Sequence, residues 1–159
     1  FPYTTLFRSA GLSLALGCDL TIASDAARFS AIFSRRGLST DMGAAWLLPR
    51  LVGLHRAKQL ALFGEVIDAA EAERIGLVNR VVPAAELDAT VDDWASRLAA
   101  GPPVALTQII DLLDRAFETP FDALLADEGS AQALCFTTDD TREAMTAFFE
   151  KRDPTYQGR

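Results

Sequence analysis

The order of the predicted secondary structure elements is the feature that most constrains the fold. Residues 10–83 mix short strands with helices, whereas residues 84–152 form a run of four helices with no strand between them. In the first of these helices, apolar residues recur at helical spacing: Leu87, Val91, Trp94 and Leu98. Four amphipathic helices cannot cover all their apolar faces alone, so we expect them to pack on the first part or on another subunit.

Capping and turn residues predict the element boundaries in the first part. Residues 11–17 are small and apolar on all sides, which indicates a buried helix, and two strands are expected over residues 19–24 and 28–33. A polar loop should follow, and a helix should start at Met42 with Asp41 as its N-cap. Further helices are predicted to end at Gly64 and to begin after Asp68, before a strand over residues 77–82.

The composition excludes several function classes. The chain has 15 Lys and Arg against 22 Asp and Glu, a net charge of −7, so bulk electrostatics disfavour nucleic acid and anionic membranes. No apolar run approaches the roughly 18 residues of a membrane span. Cys18 and Cys135 are far apart and have no metal-ligand spacing, which is typical of a reduced, cytoplasmic protein without a metal site.

The first nine residues look foreign to the rest of the chain. They resemble the in-frame translation of a common DNA-sequencing adapter, and the chain has no initiator Met. We therefore expect residues 1–9 to be a non-native scar and natural sequence to begin near Ala10, inside a domain. Residues 10–83 are then the end of a core and residues 84–159 a helical region, with a boundary between them after Pro83.

Five ordered segments of the chain resemble the signature of the crotonase superfamily, the enoyl-CoA hydratase/isomerase family. The first runs from Ala10 to Ser24 and combines a Gly-containing turn, a buried helix, Cys18-Asp19 and a strand. The others cover residues 27–30, 37–53, 68–83 and 148–154, in the order that the family has. The resemblance implies an α/β fold: the C-terminal part of a ββα spiral, N-terminally truncated, followed by a helical trimerisation region.

The same resemblance implies a site that stabilises a thioester enolate. In this family two backbone N–H groups bind the thioester oxygen. One of them falls at Ala10, and the other belongs to the earlier half of the domain. Family hydratases carry a Glu on the buried helix and another after the second strand, where this chain has Ser13 and Phe33. Neither can act as a general acid or base, whereas Asp41 matches the single catalytic carboxylate of isomerase-like members.

Three basic residues are candidates for the CoA moiety. By resemblance, Lys151 lies where family members direct a basic side chain at CoA, and Arg35 and Arg36 could meet a CoA phosphate or simply be solvated. The expected substrate is an acyl-CoA thioester with no further cofactor, and the expected assembly is a homotrimer or hexamer. The leading hypothesis for the reaction is isomerase-like proton transfer, and the alternatives are hydration, hydrolysis or dehalogenation. An inactive fragment or an assembly-only module also remains open.

Overall fold

The computed structural model describes residues 6–159, which form two compact units divided between Asp92 and Asp93. The boundary between the units lies inside a helix, whereas the predicted boundary after Pro83 precedes that helix. The first unit contains all the strands of the described residues: β1 (Leu6–Arg8), β2 (Ile22–Ser24), β3 (Arg28–Ser30), β4 (Ile67–Asp68) and β5 (Arg80–Val82). Its helices are α1 (Ser9–Leu16), a 3₁₀ helix (Ile32–Arg36), α2 (Ala44–Val52), α3 (Leu54–Phe63), α4 (Ala69–Arg74) and a short 3₁₀ turn (Ala84–Glu86).

The strands of the first unit form two small sheets. In one, β3 pairs in parallel with β1, with Phe7 opposite Phe29, and antiparallel with β4. In the other, β2 pairs in parallel with β5, with Ile22 opposite Arg80. Since parallel neighbours need a crossover, helices lie between the paired strands in sequence, α1 between β1 and β3, for example.

One hydrophobic core holds the first unit together. Small and medium apolar side chains of α1, α2, α3 and α4 meet β3 there, and Phe29, Phe33 and Leu48 are each only 2% exposed. The many alanines in this core let helices and strands approach closely, which suits short elements. Removing a large side chain such as Phe29 would cost roughly 3–5 kcal/mol because the surrounding backbone could not close the cavity.

The second unit consists of helices. They are α5 (Leu87–Ala99), which begins in the first unit, α6 (Pro103–Arg115), α7 (Phe121–Phe136) and α8 (Asp139–Glu150). Pro103 opens α6 at a position where its missing N–H costs no hydrogen bond. Large apolar residues remain exposed on these helices, among them Phe121 and Phe136.

Two carboxylates of α8 hold the C-terminal tail. Asp140, only 4% exposed, accepts hydrogen bonds from the backbone N–H groups of Gln157 (2.7 Å) and Gly158 (2.9 Å). Glu143 pairs with Arg152 and accepts from the Thr155 N–H at 3.0 Å. Because of the Arg152 hydrogen bond first and the Thr155 N–H second, the pKa of Glu143 falls from 4.5 to about 2.

Several boundaries confirm the sequence reading. Gly64 ends α3 in the left-handed conformation (φ 57°), and the Asp68 carboxylate accepts from the Glu71 N–H at 2.8 Å at the start of α4. The four helices of the second part also form where they were expected.

Other expectations were wrong. Asp41 does not cap a helix: α2 begins at Ala44, and its N-cap is Gly43 (φ 84°). The second strand stops at Ser30, because a 3₁₀ helix takes over at Ile32. The spacing of Asp140 and Glu143 predicts Asp140 as the cap of the last helix, but the cap of α8 is Thr138, whose hydroxyl accepts from the Thr141 N–H. The Asp140 carboxylate is turned to the tail instead.

Part of the segment predicted to be a non-native scar forms a strand. Leu6–Arg8 form β1, and the Phe7 ring stacks on Phe29 with centroids 5.5 Å apart. Residues 1–5 lie outside the described residues. Over residues 6–159, no helix has the length and apolar character needed to cross a membrane.

Candidate functional site

The structure brings two of the singled-out positions, Ser13 and Asp41, into contact. Ser13 lies on α1, is only 1% exposed, and places its hydroxyl 3.2 Å from the main-chain oxygen of Asp41. The same hydroxyl lies 3.3 Å from the main-chain oxygen of Ser9, one helical turn earlier. α1 and the Asp41 loop are therefore joined by the buried Ser13 side chain.

Ala10 lies at the start of α1, in the first turn of the helix. A backbone N–H in the first turn has no acceptor within its own helix, so the Ala10 N–H is available to an oxygen outside the helix. The partial positive charge at a helix N-terminus favours a negatively charged oxygen there. Ser9, just before it, has a left-handed φ of 46°, which is uncommon for a residue with a Cβ.

Asp41 lies on a turn with unusual backbone geometry. The Asp41 main-chain oxygen accepts from the Ala44 N–H at 3.0 Å, and Asp41 is exposed. Met42 (φ 47°) and Gly43 (φ 84°) both adopt the left-handed region, so the chain turns twice before α2 can begin. The Asp41 carboxylate is thus presented on a turn rather than used at a helix start.

Phe33 and Trp46, the aromatic residues near this loop in sequence, differ in their exposure. Phe33 is buried in the core at 2% exposure, whereas Trp46 is 42% exposed. The Arg50 guanidinium lies 3.6 Å from the centre of the Trp46 ring and donates to the Trp46 carbonyl at 3.0 Å. The position of the second family Glu is therefore filled by a core aromatic.

The Arg35 side chain bonds to the backbone of the first unit, and the Arg36 side chain does not share this contact. The Arg35 Nε donates to the Phe63 carbonyl at 2.9 Å, at the end of α3, and the side chain passes close to Gly64. Arg36 is exposed on the last turn of the 3₁₀ helix. Arg35 therefore has a structural partner that no sequence pattern indicates.

Lys151 belongs to the second unit. It is exposed and forms the C-cap of α8 with a left-handed φ of 56°. The two residues at the end of α8, Phe148 and Phe149, are 76% and 75% exposed, with their rings in an edge-to-face arrangement at 5.8 Å. Lys151 thus follows two exposed aromatic residues in the chain.

The second unit also contains an apolar cavity of its own. It measures about 560 Å³, lies among α6, α7, α8 and the tail, and is lined by residues that include Leu112, Ala131 and Tyr156. None of Ala10, Arg35, Arg36, Asp41 and Lys151 lines it. The residues predicted to act on a substrate are therefore not the residues that surround this cavity.

Comparison with known proteins decides the family. A match to the enoyl-CoA hydratase/isomerase family extends over residues 7–159. The chain belongs to this family. Its α/β fold is accordingly the crotonase-like one predicted from the five segments, and solved structures agree: an enoyl-CoA hydratase from Bacillus anthracis superposes with a TM-score of 0.93 at 31% identity, over 97% of this chain and 60% of that one. An enoyl-CoA hydratase/isomerase from Cupriavidus metallidurans gives 0.91 at 36% identity, over 96% and 58%.

Curated relatives carry both hydratase and isomerase names. The short-chain-enoyl-CoA hydratase of Clostridium acetobutylicum is 41% identical over 142 residues, 89% of this chain and 54% of that protein. The 1,2-epoxyphenylacetyl-CoA isomerase of Escherichia coli is 38% identical over 150 residues, 94% of this chain and 57% of that protein. The chain therefore spans little more than half the length of these members of the enoyl-CoA hydratase/isomerase family.

Proposed function

We propose that the whole protein containing this chain is an acyl-CoA isomerase that works through a thioester enolate. The observation that carries this proposal is the replacement of both family Glu positions by Ser13 and Phe33, together with an exposed Asp41 tied to α1 through Ser13 at 3.2 Å. A site with one carboxylate can move one proton, whereas hydration by the family's route uses two carboxyl groups.

In the proposed reaction, Asp41 acts as the proton carrier. Its carboxylate removes a proton from the α carbon of an unsaturated acyl-CoA, and the electrons move into a dienolate whose charge rests on the thioester oxygen. The Ala10 N–H and a second N–H, which the family resemblance assigns to the earlier half of the domain, would hold that oxygen. Asp41 then returns the proton to the γ carbon, so that the double bond has shifted and no atom is gained or lost.

The three basic residues have unequal support as CoA contacts. Lys151 and Arg36 are exposed, and a cation of either kind suits the phosphates of CoA. Arg35 is engaged with the Phe63 carbonyl, so its part is smaller in this proposal. Apart from the CoA thioester itself, the proposed reaction uses no cofactor and no metal ion.

The proposed assembly is a homotrimer or a hexamer formed through the helical region. Phe117, Phe121 and Phe136 are 73%, 76% and 70% exposed, and monomers rarely leave so much aromatic surface in water. A neighbouring copy with the same surface would cover it in a closed symmetric assembly.

Substitution of Asp41 by Asn tests the proposed reaction in the whole protein. Because Asp41 is exposed and caps no helix, the variant should keep its folding and its affinity for CoA. Isomerase turnover should fall by about 100-fold or more, the usual scale for a general base. The matched control is Asp92→Asn, an exposed carboxylate on α5, which should leave turnover as it is. Unchanged turnover in Asp41→Asn would place the proton carrier elsewhere.

Hydration is the second candidate, and the hydratase names of relatives such as that of Clostridium acetobutylicum favour it. By the family's route it requires two carboxyl groups, and the family positions for them hold Ser13 and Phe33. Assays with crotonyl-CoA and with a 3-enoyl-CoA separate the two candidates. If the protein hydrated crotonyl-CoA as fast as it isomerised a 3-enoyl-CoA, and Asp41→Asn kept the hydration, then hydration would replace isomerisation as the proposed function.

A further inference from the structure

The Ser13 hydroxyl is a polar group in the core of the first unit. It is only 1% exposed, and its one proton faces two main-chain oxygens, Ser9 at 3.3 Å and Asp41 at 3.2 Å. A helical serine often bonds to the carbonyl four residues earlier, as to Ser9 here. The Asp41 oxygen is different, because it belongs to a segment 28 residues away in sequence.

The segment that Ser13 reaches is one that needs holding. Met42 (φ 47°) and Gly43 (φ 84°) follow Asp41 in the left-handed region. A residue with a Cβ stays in this region only when its surroundings fix it there. The Asp41 oxygen receives two donors, the Ala44 N–H at 3.0 Å and the Ser13 hydroxyl. The first acts within the turn, whereas the second ties the turn to α1.

The helix that Ser13 occupies is also the one that begins with the proposed oxyanion donor. Ala10 lies less than one turn before Ser13 on the same α1. A hydrogen bond from this rigid element to the Asp41 backbone therefore fixes the carboxylate relative to the donor for the thioester oxygen. Misplacing a reacting group by about 1 Å can cost on the order of 100-fold in rate.

We infer that Ser13 is a positioning residue, which sets the Asp41 carboxylate relative to the Ala10 N–H through its hydrogen bond to the Asp41 main chain. This inference rests on the proposed function, since it gives Asp41 and Ala10 their parts. Ser13 itself touches no reacting atom. It replaces a family carboxylate with a hydroxyl that organises the remaining one.

Three substitutions at Ser13 in the whole protein test the inference. Ser13→Ala deletes the hydroxyl, Ser13→Cys keeps nearly the same volume with a much weaker donor, and Ser13→Thr retains the hydroxyl. We expect kcat to fall by about 10-fold to 100-fold in Ala and Cys, with KM for the acyl-CoA nearly unchanged. Thr should keep kcat within a few-fold of the parent. Thermal unfolding of each variant shows whether it is folded. If the Ser13→Ala variant does not fold, the Ser13→Cys variant provides the test.

The same changes made in an Asp41→Asn background separate the outcomes. If Ser13 acts through the Asp41 carboxylate, Ser13→Ala should cost nothing further there. An equal loss in both backgrounds, or an unchanged kcat in the Ala and Cys variants, overturns the positioning role. The proposed function fails separately, by an unchanged turnover in Asp41→Asn alone. A loss in Asp41→Asn with no loss in Ser13→Ala would sink only the inference about Ser13.

Discussion

Replacing Gly64 by Ala tests how the end of α3 holds Arg35. Gly64 has a φ of +57°, and its carbonyl accepts from the buried Ser30 hydroxyl at 3.1 Å, so the backbone is held in this conformation. A Cβ at this position would lie 3.1 Å from the Arg35 Cγ and 3.3 Å from the Ile32 Cα. The Arg35 side chain can move, but the Ile32 backbone cannot move without disturbing the 3₁₀ helix.

Three contributions set the expected change in the free energy of unfolding. The left-handed conformation costs a residue with a Cβ about 1–2 kcal/mol. The stiffer unfolded chain offsets about 0.4–1 kcal/mol of this cost. Displacing Arg35 breaks its hydrogen bond to the Phe63 carbonyl, at about 1 kcal/mol. Gly64→Ala should therefore destabilise the first unit by about 2 kcal/mol, or roughly 8–16 °C in the Tm of a unit of this size.

Gly37→Ala is the matched control for the backbone contribution. Gly37 has a φ of +67°, close to that of Gly64, but a Cβ there would meet nothing within 4 Å. It should cost only the conformational difference, about 0.5–1 kcal/mol. Gly129→Ala should have the opposite sign and stabilise α7 by about 0.5–1 kcal/mol, because Gly129 is inside a helix and a Cβ there meets open space.

Urea unfolding followed by tryptophan fluorescence measures these changes unit by unit. The chain has two tryptophans, and Trp46 and Trp94 lie in different compact units. In a Trp94→Phe background the signal reports the first unit, and in a Trp46→Phe background the second. If Gly64→Ala and Gly37→Ala lowered stability equally, Arg35 would contribute nothing to the end of α3. Arg35 would then return to the candidates for CoA binding.

Three further expectations follow from the second unit and from the share of its relatives' length that the chain spans. The Arg152 pairing lowers the pKa of Glu143 to about 2, so this tail contact is complete above about pH 4.5 and is lost as pH falls toward 2. Carboxyl NMR titration of Glu143 should show a midpoint at about 2, and Arg152→Met should move this midpoint back toward 4.5. Replacing both Phe148 and Phe149 by Asp should weaken self-association of the whole protein in light scattering, and a parent protein that is already monomeric at micromolar concentration would refute the assembly. The 159-residue chain alone should lack turnover of a 3-enoyl-CoA, because losing one oxyanion donor lowers kcat by about 100-fold to 1000-fold. Normal turnover by this chain would contradict the proposed site.

Local sequence signals predicted elements whose ends are fixed by a single residue. Gly64 ends α3 and Asp68 caps α4 because each acts through its own backbone conformation or a bond three residues away. The cap of α8 was misassigned to Asp140 because Thr138 and two aspartates stand together. Only the tail, 17 residues later at Gln157, decides which of them turns away from the helix.

The candidate site depended on contacts that no local pattern contains. A serine in a small, apolar helix looks like packing, and its bond to Asp41 arises only when α1 meets a loop 28 residues later. The sequence likewise leaves Arg35 open between a CoA contact and a solvated cation, and its bond to the Phe63 carbonyl arises only in the fold. The family pattern proposes Asp41 as the carboxylate, but it does not indicate how the Asp41 backbone is held.

The error at Asp41 has a physical cause that bears on function. The sequence rule for an N-cap assumes that the helix starts at the next residue, but Met42 and Gly43 both turn into the left-handed region and delay α2 to Ala44. Among the described residues, the non-glycine positions with positive φ are Ser9, Met42 and Lys151. Ser9 precedes Ala10 and Met42 follows Asp41. Lys151 is itself one of the residues that the family pattern assigns to the site. Strained backbone of this kind persists where surrounding contacts hold it and is concentrated at functional sites. A carboxylate freed from capping and set on a held turn is free to exchange a proton with a substrate, whereas one bonded to helix N–H groups is already occupied.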